Sequence, residues 1–108
     1  MARLGITFAL LFSAVSGSVA ASAGVETVRA QIATPLTSLK RPIAGGAVFL
    51  CEQSQCSAPS PTGRTYSAHA CRELARAVGR LSSFEKGASK FSPDQLDRCN
   101  RDQPADSR

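Results

Sequence analysis

Four cysteines, Cys51, Cys56, Cys71 and Cys99, are the residues of this chain best able to do chemistry, spaced as C-x4-C-x14-C-x27-C. An even count downstream of a leader with the build of an export signal points to two disulfides in an oxidising compartment. Metal is the competing chemistry. Structural zinc sites use tighter pairs, and Cys51/Cys56 falls at the loose limit of that spacing. Cys71 and Cys99 are too far apart to form a zinc knuckle, although His69 lies near Cys71. No Cys-x-x-Cys occurs, so the thioredoxin-type redox motif and the haem-attachment motif are both missing. Two disulfides are the reading; a thiol-redox or metal-handling role for Cys51, Cys56, Cys71 and Cys99 is the alternative.

The remaining polar residues carry less. His69 is the single histidine. A nucleophilic triad would need it between a serine and a carboxylate, and no G-x-S-x-G turn exists to present the serine. A histidine on a helix surface accounts for it. Asp94 and Asp97 lie one helical turn apart, but a helix dipole explains the first and solvent exposure the second. Gly45-Gly46 is not followed by the Gly-Lys-Ser/Thr of a phosphate loop. Tyr66 is the one tyrosine and tryptophan is absent, so there is no aromatic platform for single-stranded nucleic acid. The expectation is a non-enzyme, with no cofactor and no metal.

Residues 1–23 have the three-part build of a secretory signal: Arg3, a short apolar run from Leu4 to Val15, and the small-residue triplets Ser18-Val19-Ala20 and Ala21-Ser22-Ala23. The run is too short for a permanent anchor, and the cut is expected after Ala23. That leaves one domain over residues 24–100, a disordered polar tail over 101–108, and a periplasmic or secreted location. So small a domain buries little surface, and covalent staples supply much of its stability. The formal charge is +5, and loss of Arg3 leaves 12 basic against 8 acidic residues. The bases are spread along the chain, which suits solubility and weak attraction to an anionic envelope surface or an envelope protein, not a nucleic-acid groove.

Several elements must hold these residues. Residues 25–33 read as a strand with Val28, Ala30 and Ile32 on one side, although a helix would also align Val25, Val28 and Ile32. Residues 34–42, with two prolines, read as a loop. Residues 43–51 read as a strand ending in the apolar run Val48-Phe49-Leu50, with Gly45-Gly46 marking a bulge or a close backbone approach. Residues 52–55 suit a hairpin loop and 57–63 a surface connection. Ser67 can cap a helix reaching Val78, with Cys71, Leu74, Ala75 and Val78 in one stripe, Glu73 able to pair with Arg76, and Gly79 ending it. Residues 80–86 return as a strand anchored by Phe84, and Gly87 marks a turn. Ser92-Pro93-Asp94-Gln95 combines an N-cap, a proline at the first helical position and a capping box, flanked by the Phe91/Leu96 hydrophobic staple. Asn100 suits the end of this helix. The fold class expected is α+β: a small antiparallel sheet of three to four strands, a three-turn helix and a short C-terminal helix, stapled by disulfides.

Four cysteines allow three pairings, and the sequence leaves all three open. Cys51–Cys56 with Cys71–Cys99 is preferred. The first pair can face across a hairpin, and the second sits on the apolar faces of two helices that dock on one sheet.

The stretches Val48-Phe49-Leu50-Cys51, Cys56-Ser57-Ala58, Cys71-Arg72-Glu73-Leu74-Ala75, Val78-Gly79, Ser83-Phe84 and Leu96-Asp97-Arg98-Cys99-Asn100 resemble, in order and spacing, a small exported four-cysteine family of unknown function from alphaproteobacteria. The resemblance covers residues 48–100. Members of that family often carry tryptophan two residues before the first cysteine, where this chain has Phe49; the change keeps an aromatic anchor and removes an indole donor. The resemblance implies export, and brings no known activity and no catalytic residue with it.

Overall fold

Alternation of Val28, Ala30 and Ile32 with Arg29 and Gln31 produces a strand, β1 (Val28–Ile32), whose first set is buried and second exposed; the helical alternative is not adopted. The structure, a computed structural model, describes Gly5 and residues 26–103. The expected signal over residues 1–23 lies, but for Gly5, outside the described residues.

Downstream of β1 come β2 (Ile43–Ala44), β3 (Ala47–Val48), β4 (Leu50–Glu52), β5 (Gln55–Ala58), α1 (Ala68–Val78), β6 (Leu81–Lys86), β7 (Ser89–Lys90) and α2 (Pro93–Cys99). The class is α+β, with an antiparallel sheet of five strands in the order β4-β5-β1-β6-β7 and a two-stranded sheet β2-β3. The main sheet exceeds the three to four strands expected. The strands not read from the sequence are the two-residue β7 beyond the Gly87 turn and β5, which the prolines and hydroxyls after Cys56 disguise as a connection. β5 pairs with both β4 and β1, so the short period-two run Cys56, Ser57, Ala58 is held from both sides.

Residues 43–51 are not one strand. Gly45 and Gly46 both have positive φ, 56° and 74°, the backbone of a tight two-residue hairpin turn. The chain reverses there, pairing Ala44 with Ala47 and Ile43 with Val48. Lys40 and Cys51 exchange two backbone hydrogen bonds, and the Phe49 N–H donates to Pro42 O. These pairs share one register, so residues 39–44 and 47–52 form a continuous hairpin, missing one ladder bond because Pro42 has no N–H. The expected loop over 34–42 therefore supplies, at Lys40, a bridge to Cys51 and, at Pro42, an acceptor for Phe49 ahead of β2. A close approach is also present: a Cβ on Gly45 would lie 2.6 Å from Arg64 O and 2.7 Å from the Ala70 Cβ.

β6 departs from strict alternation. Leu81 and Phe84, three residues apart, both face the core, because Ile32 pairs with Leu81 and Gln31 with Ser83. Ser82 is the extra residue of a bulge, which turns Leu81 inward.

Both helices cover the same side of the sheet. Ser67 caps α1 by accepting from the Ala70 N–H, and the Gly79 N–H closes it on Ala75 O with φ 102°. α2 has the full capping box: the Gln95 N–H donates to Ser92 Oγ and the Ser92 N–H to Gln95 Oε1. Ala70, Cys71, Leu74, Ala75 and Val78 of α1 pack with Val28, Ala30, Ile32, Phe49, Leu81 and Phe84 in one core, with Phe91 and Leu96 at its margin. Asn100 does more than end α2. Buried at 3% exposure, its amide accepts from the Leu81 N–H at 2.8 Å and donates to Leu81 O at 2.7 Å. It thus acts as a substitute strand for the first residue of β6. The tail expected from residue 101 is held as a turn through Gln103, with Arg101 and Gln103 donating to Arg98 O and Asn100 O; residues 104–108 lie outside the described residues.

Candidate functional site

The cysteines lie inside the core and form two bonds, Cys51–Cys56 and Cys71–Cys99. The register pairs Cys51 directly with Cys56 across β4 and β5, and both side chains point to the helix side. This bond is part of the sheet wall, not a loop staple. Cys71–Cys99 ties α1 to α2, spanning 28 residues. All four residues are buried, at 0% to 3% exposure. No free cysteine is present among the described residues.

The other candidate residues are scattered. His69 is exposed on α1, with Nε2 3.1 Å from Glu73 Oε1. The same Glu73 oxygen accepts from the Gly45 N–H at 3.2 Å. Glu73 is therefore not paired with Arg76, which turns instead to Asp102 at 3.5 Å. The reason is tertiary: the Gly45 turn docks beside α1 and offers an unpaired N–H to a carboxylate already on that side. Thr62 and Thr65, which sequence reasoning passed over, complete this junction by donating their hydroxyls to Gly45 O at 2.8 and 3.0 Å. These contacts brace the hairpin against the helix. Asp94 sits in the first turn of α2, and Asp97 approaches Arg80 at 3.9 Å. Tyr66 stacks on Phe84 at a ring separation of 5.4 Å and meets Phe91 edge-on. Burial, and secondarily the Glu85 carboxylate, push its phenol above the ordinary tyrosine value of 10.0. No cluster of three or more His, Cys, Asp or Glu suited to a metal occurs among the described residues.

What remains is the opposite side of the sheet. Both helices pack on the cysteine side, and among the described residues no element covers the other face. It forms an open trough of about 1130 Å³. Directly paired residues of antiparallel strands point the same way, so the register orders this face in rows. One row runs Arg41, Leu50, Ser57, Arg29, Glu85, Lys90; the next runs Leu39, Glu52, Gln55, Gln31, Ser83. Among the described residues four large apolar side chains are exposed: Leu39 at 55%, Ile43 at 68%, Val48 at 49% and Leu50 at 45%. All four belong to the same face of the 39–52 hairpin. The signal that could have revealed this patch was alternation of Leu39, Arg41 and Ile43 in step with Val48, Leu50 and Glu52, masked by the reading of residues 34–42 as a loop.

The fold and its bare face define a small α+β domain stapled by two disulfides, with one sheet face covered by helices and one open. The chain belongs to a family of unknown function (DUF8200), whose pattern matches residues 9–101. No curated protein and no solved structure matches it. No described helix is long and apolar enough to cross a membrane.

Proposed function

We propose that this chain is a small exported protein, cleaved after a signal over residues 1–23, that works by non-catalytic binding to an envelope component through its bare sheet face. The observation that carries the reading is the gathering of the four large apolar side chains exposed among the described residues on one face of the 39–52 hairpin, where Leu39 and Leu50 line the trough with Arg29 and Arg41. Exposed apolar side chains gathered in one patch are characteristic of interaction surfaces; scattered singly, they carry no such meaning. The cysteines support the same reading. Thiol exchange needs a sulfur that an attacking thiolate can reach, and these four residues are buried. Disulfides also accord with an extracytoplasmic site of action.

Two measurements test this. Protein recovered outside the cytoplasm should begin at Gly24 or Ala21 and titrate no thiol when denatured; an intact Met1 would defeat the cleavage reading, and a reactive thiol would move the reading to the thiol-redox or metal-handling alternative. A photo-crosslinking residue at Leu50 should give a discrete adduct with an envelope component, and the same residue at exposed Arg72 on α1 should not. Equal labelling from both positions would defeat the assignment to this face.

A further inference from the structure

The hairpin that carries the apolar patch ends in an open edge. In its register, residues 40 and 44 make the inward pairings and Pro42 the inward acceptor contact. The N–H and C=O groups of the alternate residues Leu39, Arg41 and Ile43 are therefore directed away from the sheet. None of the hydrogen bonds among the described residues uses the N–H of Leu39 or Arg41. Pro42 lacks its donor on the inner side, so it leaves the outer row intact.

Charge selects what can pair there. Lys40 and Arg41 are adjacent on this edge, and residues 39–44 contain no acid. A second copy paired antiparallel about Arg41 would set Arg41 against Arg41, and about Lys40 would set Lys40 against Lys40; like charges directly opposite are destabilising. The excess of 12 basic over 8 acidic residues that remains after loss of the signal also repels a second copy at longer range and attracts an acidic chain. The same two side chains that disfavour these two self-pairing registers suit carboxylates.

We propose that the edge over residues 39–43 takes up an extended acidic segment of a partner protein as an added β-strand; this rests on the binding reading above and names its partner class. Main-chain bonds to Leu39, Arg41 and Ile43 supply affinity, and side-chain alternation supplies selectivity. On the bare face the added strand lays apolar side chains beside Leu39 and Ile43 and an acid beside Arg41. On the other face it sets a second acid beside Lys40. The recognised pattern, read antiparallel, is apolar, any residue, acidic, acidic, apolar.

The test uses the full chain, isotopically labelled and with both disulfides formed, and a capped peptide Thr-Val-Thr-Glu-Glu-Val-Thr. Saturating peptide should slow amide hydrogen exchange at Leu39, Arg41 and Ile43 by about tenfold or more, one ladder bond's worth, with little change at Lys40 and Cys51. The counterpart with lysine for both glutamates should not. Arg41→Pro removes one outward N–H without touching the inward ladder, and Lys40→Glu with Arg41→Glu keeps the donors but reverses the charge. Each should weaken binding by about tenfold or more, while amide spectra of β1, β5 and β6 stay unchanged. Absence of protection at the three amides, or equal binding of the lysine peptide, would overturn the proposal. So would protection that grows with protein concentration alone, which would assign the edge to a second copy. If the peptide fails while the Leu50 crosslink persists, strand addition falls and the binding reading stands.

Discussion

Replacement of Asn100 probes a buried side-chain amide that joins the end of α2 to the sheet. Its two hydrogen bonds to Leu81, at 2.8 and 2.7 Å, are both buried, and Leu81 itself is 2% exposed. Asn100→Ala removes both bonds and strands a backbone donor and a backbone acceptor away from water. Each stranded group costs about 1–3 kcal/mol, so the pair should cost about 3 kcal/mol, and no less than about 2 if a water enters the vacated space. Small domains hold about 5–15 kcal/mol in all, and each kcal/mol moves the melting temperature of a domain this size by about 4–8 °C. Guanidinium denaturation followed by circular dichroism, with the disulfides intact, should show that loss, and a thermal scan should fall by about 10 °C or more. Asn100→Asp separates hydrogen bonding from packing. A carboxylate still accepts from the Leu81 N–H but cannot donate to Leu81 O, whereas the neutral acid can do both. Burial beside a carbonyl raises the folded-state pKa of this carboxyl above its unfolded value of about 3.9. The folded state then binds the proton more tightly, so the stabilisation is present below the unfolded value and is lost as pH rises through the folded one. Measured against the parent at each pH, Asn100→Asp should approach the parent near pH ~3 and lose stability toward neutrality. A loss under about 0.5 kcal/mol for Asn100→Ala, or a pH-independent deficit for Asn100→Asp, would refute this account of the Leu81 clamp.

Ser92→Ala removes the acceptor for the Gln95 N–H and should cost about 1 kcal/mol in denaturation; a mutant matching the parent would show that the cap contributes nothing. Gly45→Ala forces a Cβ to 2.6 Å from Arg64 O at a φ of +56° and should cost about 2–4 kcal/mol. Gly46→Asn, at a position where a Cβ meets nothing closer than 3.4 Å, should retain most of the parent's melting temperature. Loop entropy gives the Cys71–Cys99 bond about 3–4 kcal/mol and the Cys51–Cys56 bond about 2. Because Cys51 and Cys56 line the core, paired alanine replacement there should also lower the melting temperature of the whole domain, and unfolding confined to the 52–55 turn would contradict its place in the sheet. Non-reducing peptide mapping checks the pairing itself, and a Cys51–Cys71 or Cys56–Cys99 peptide would contradict it.

Local chemistry was sufficient for the helices and their ends. Ser67, and Ser92 with Pro93 and Gln95, satisfy backbone groups within one turn of themselves, so their roles are legible without any distant partner. The same holds for the alternation in β1 and the stripe Cys71, Leu74, Ala75 and Val78, which report periods of the backbone itself. An α+β class and the core role of Phe84 follow from such signals. Only the tertiary structure decided what depends on residues far apart in the chain. Gly45-Gly46 could be a bulge, a close approach or a turn until Arg64, Thr65 and Ala70 pack against it. β5 is a strand because β4 and β1 flank it, and Leu81 faces inward because a bulge at Ser82 shifts the register against β1. Glu73 answers to Gly45 instead of Arg76, and Asn100 to Leu81, because docking brings buried or half-buried backbone groups to them that require partners. The exposed apolar face is likewise decided by pairing: Val48, Phe49 and Leu50 are equally apolar, and the pleat of a paired hairpin buries only the middle one.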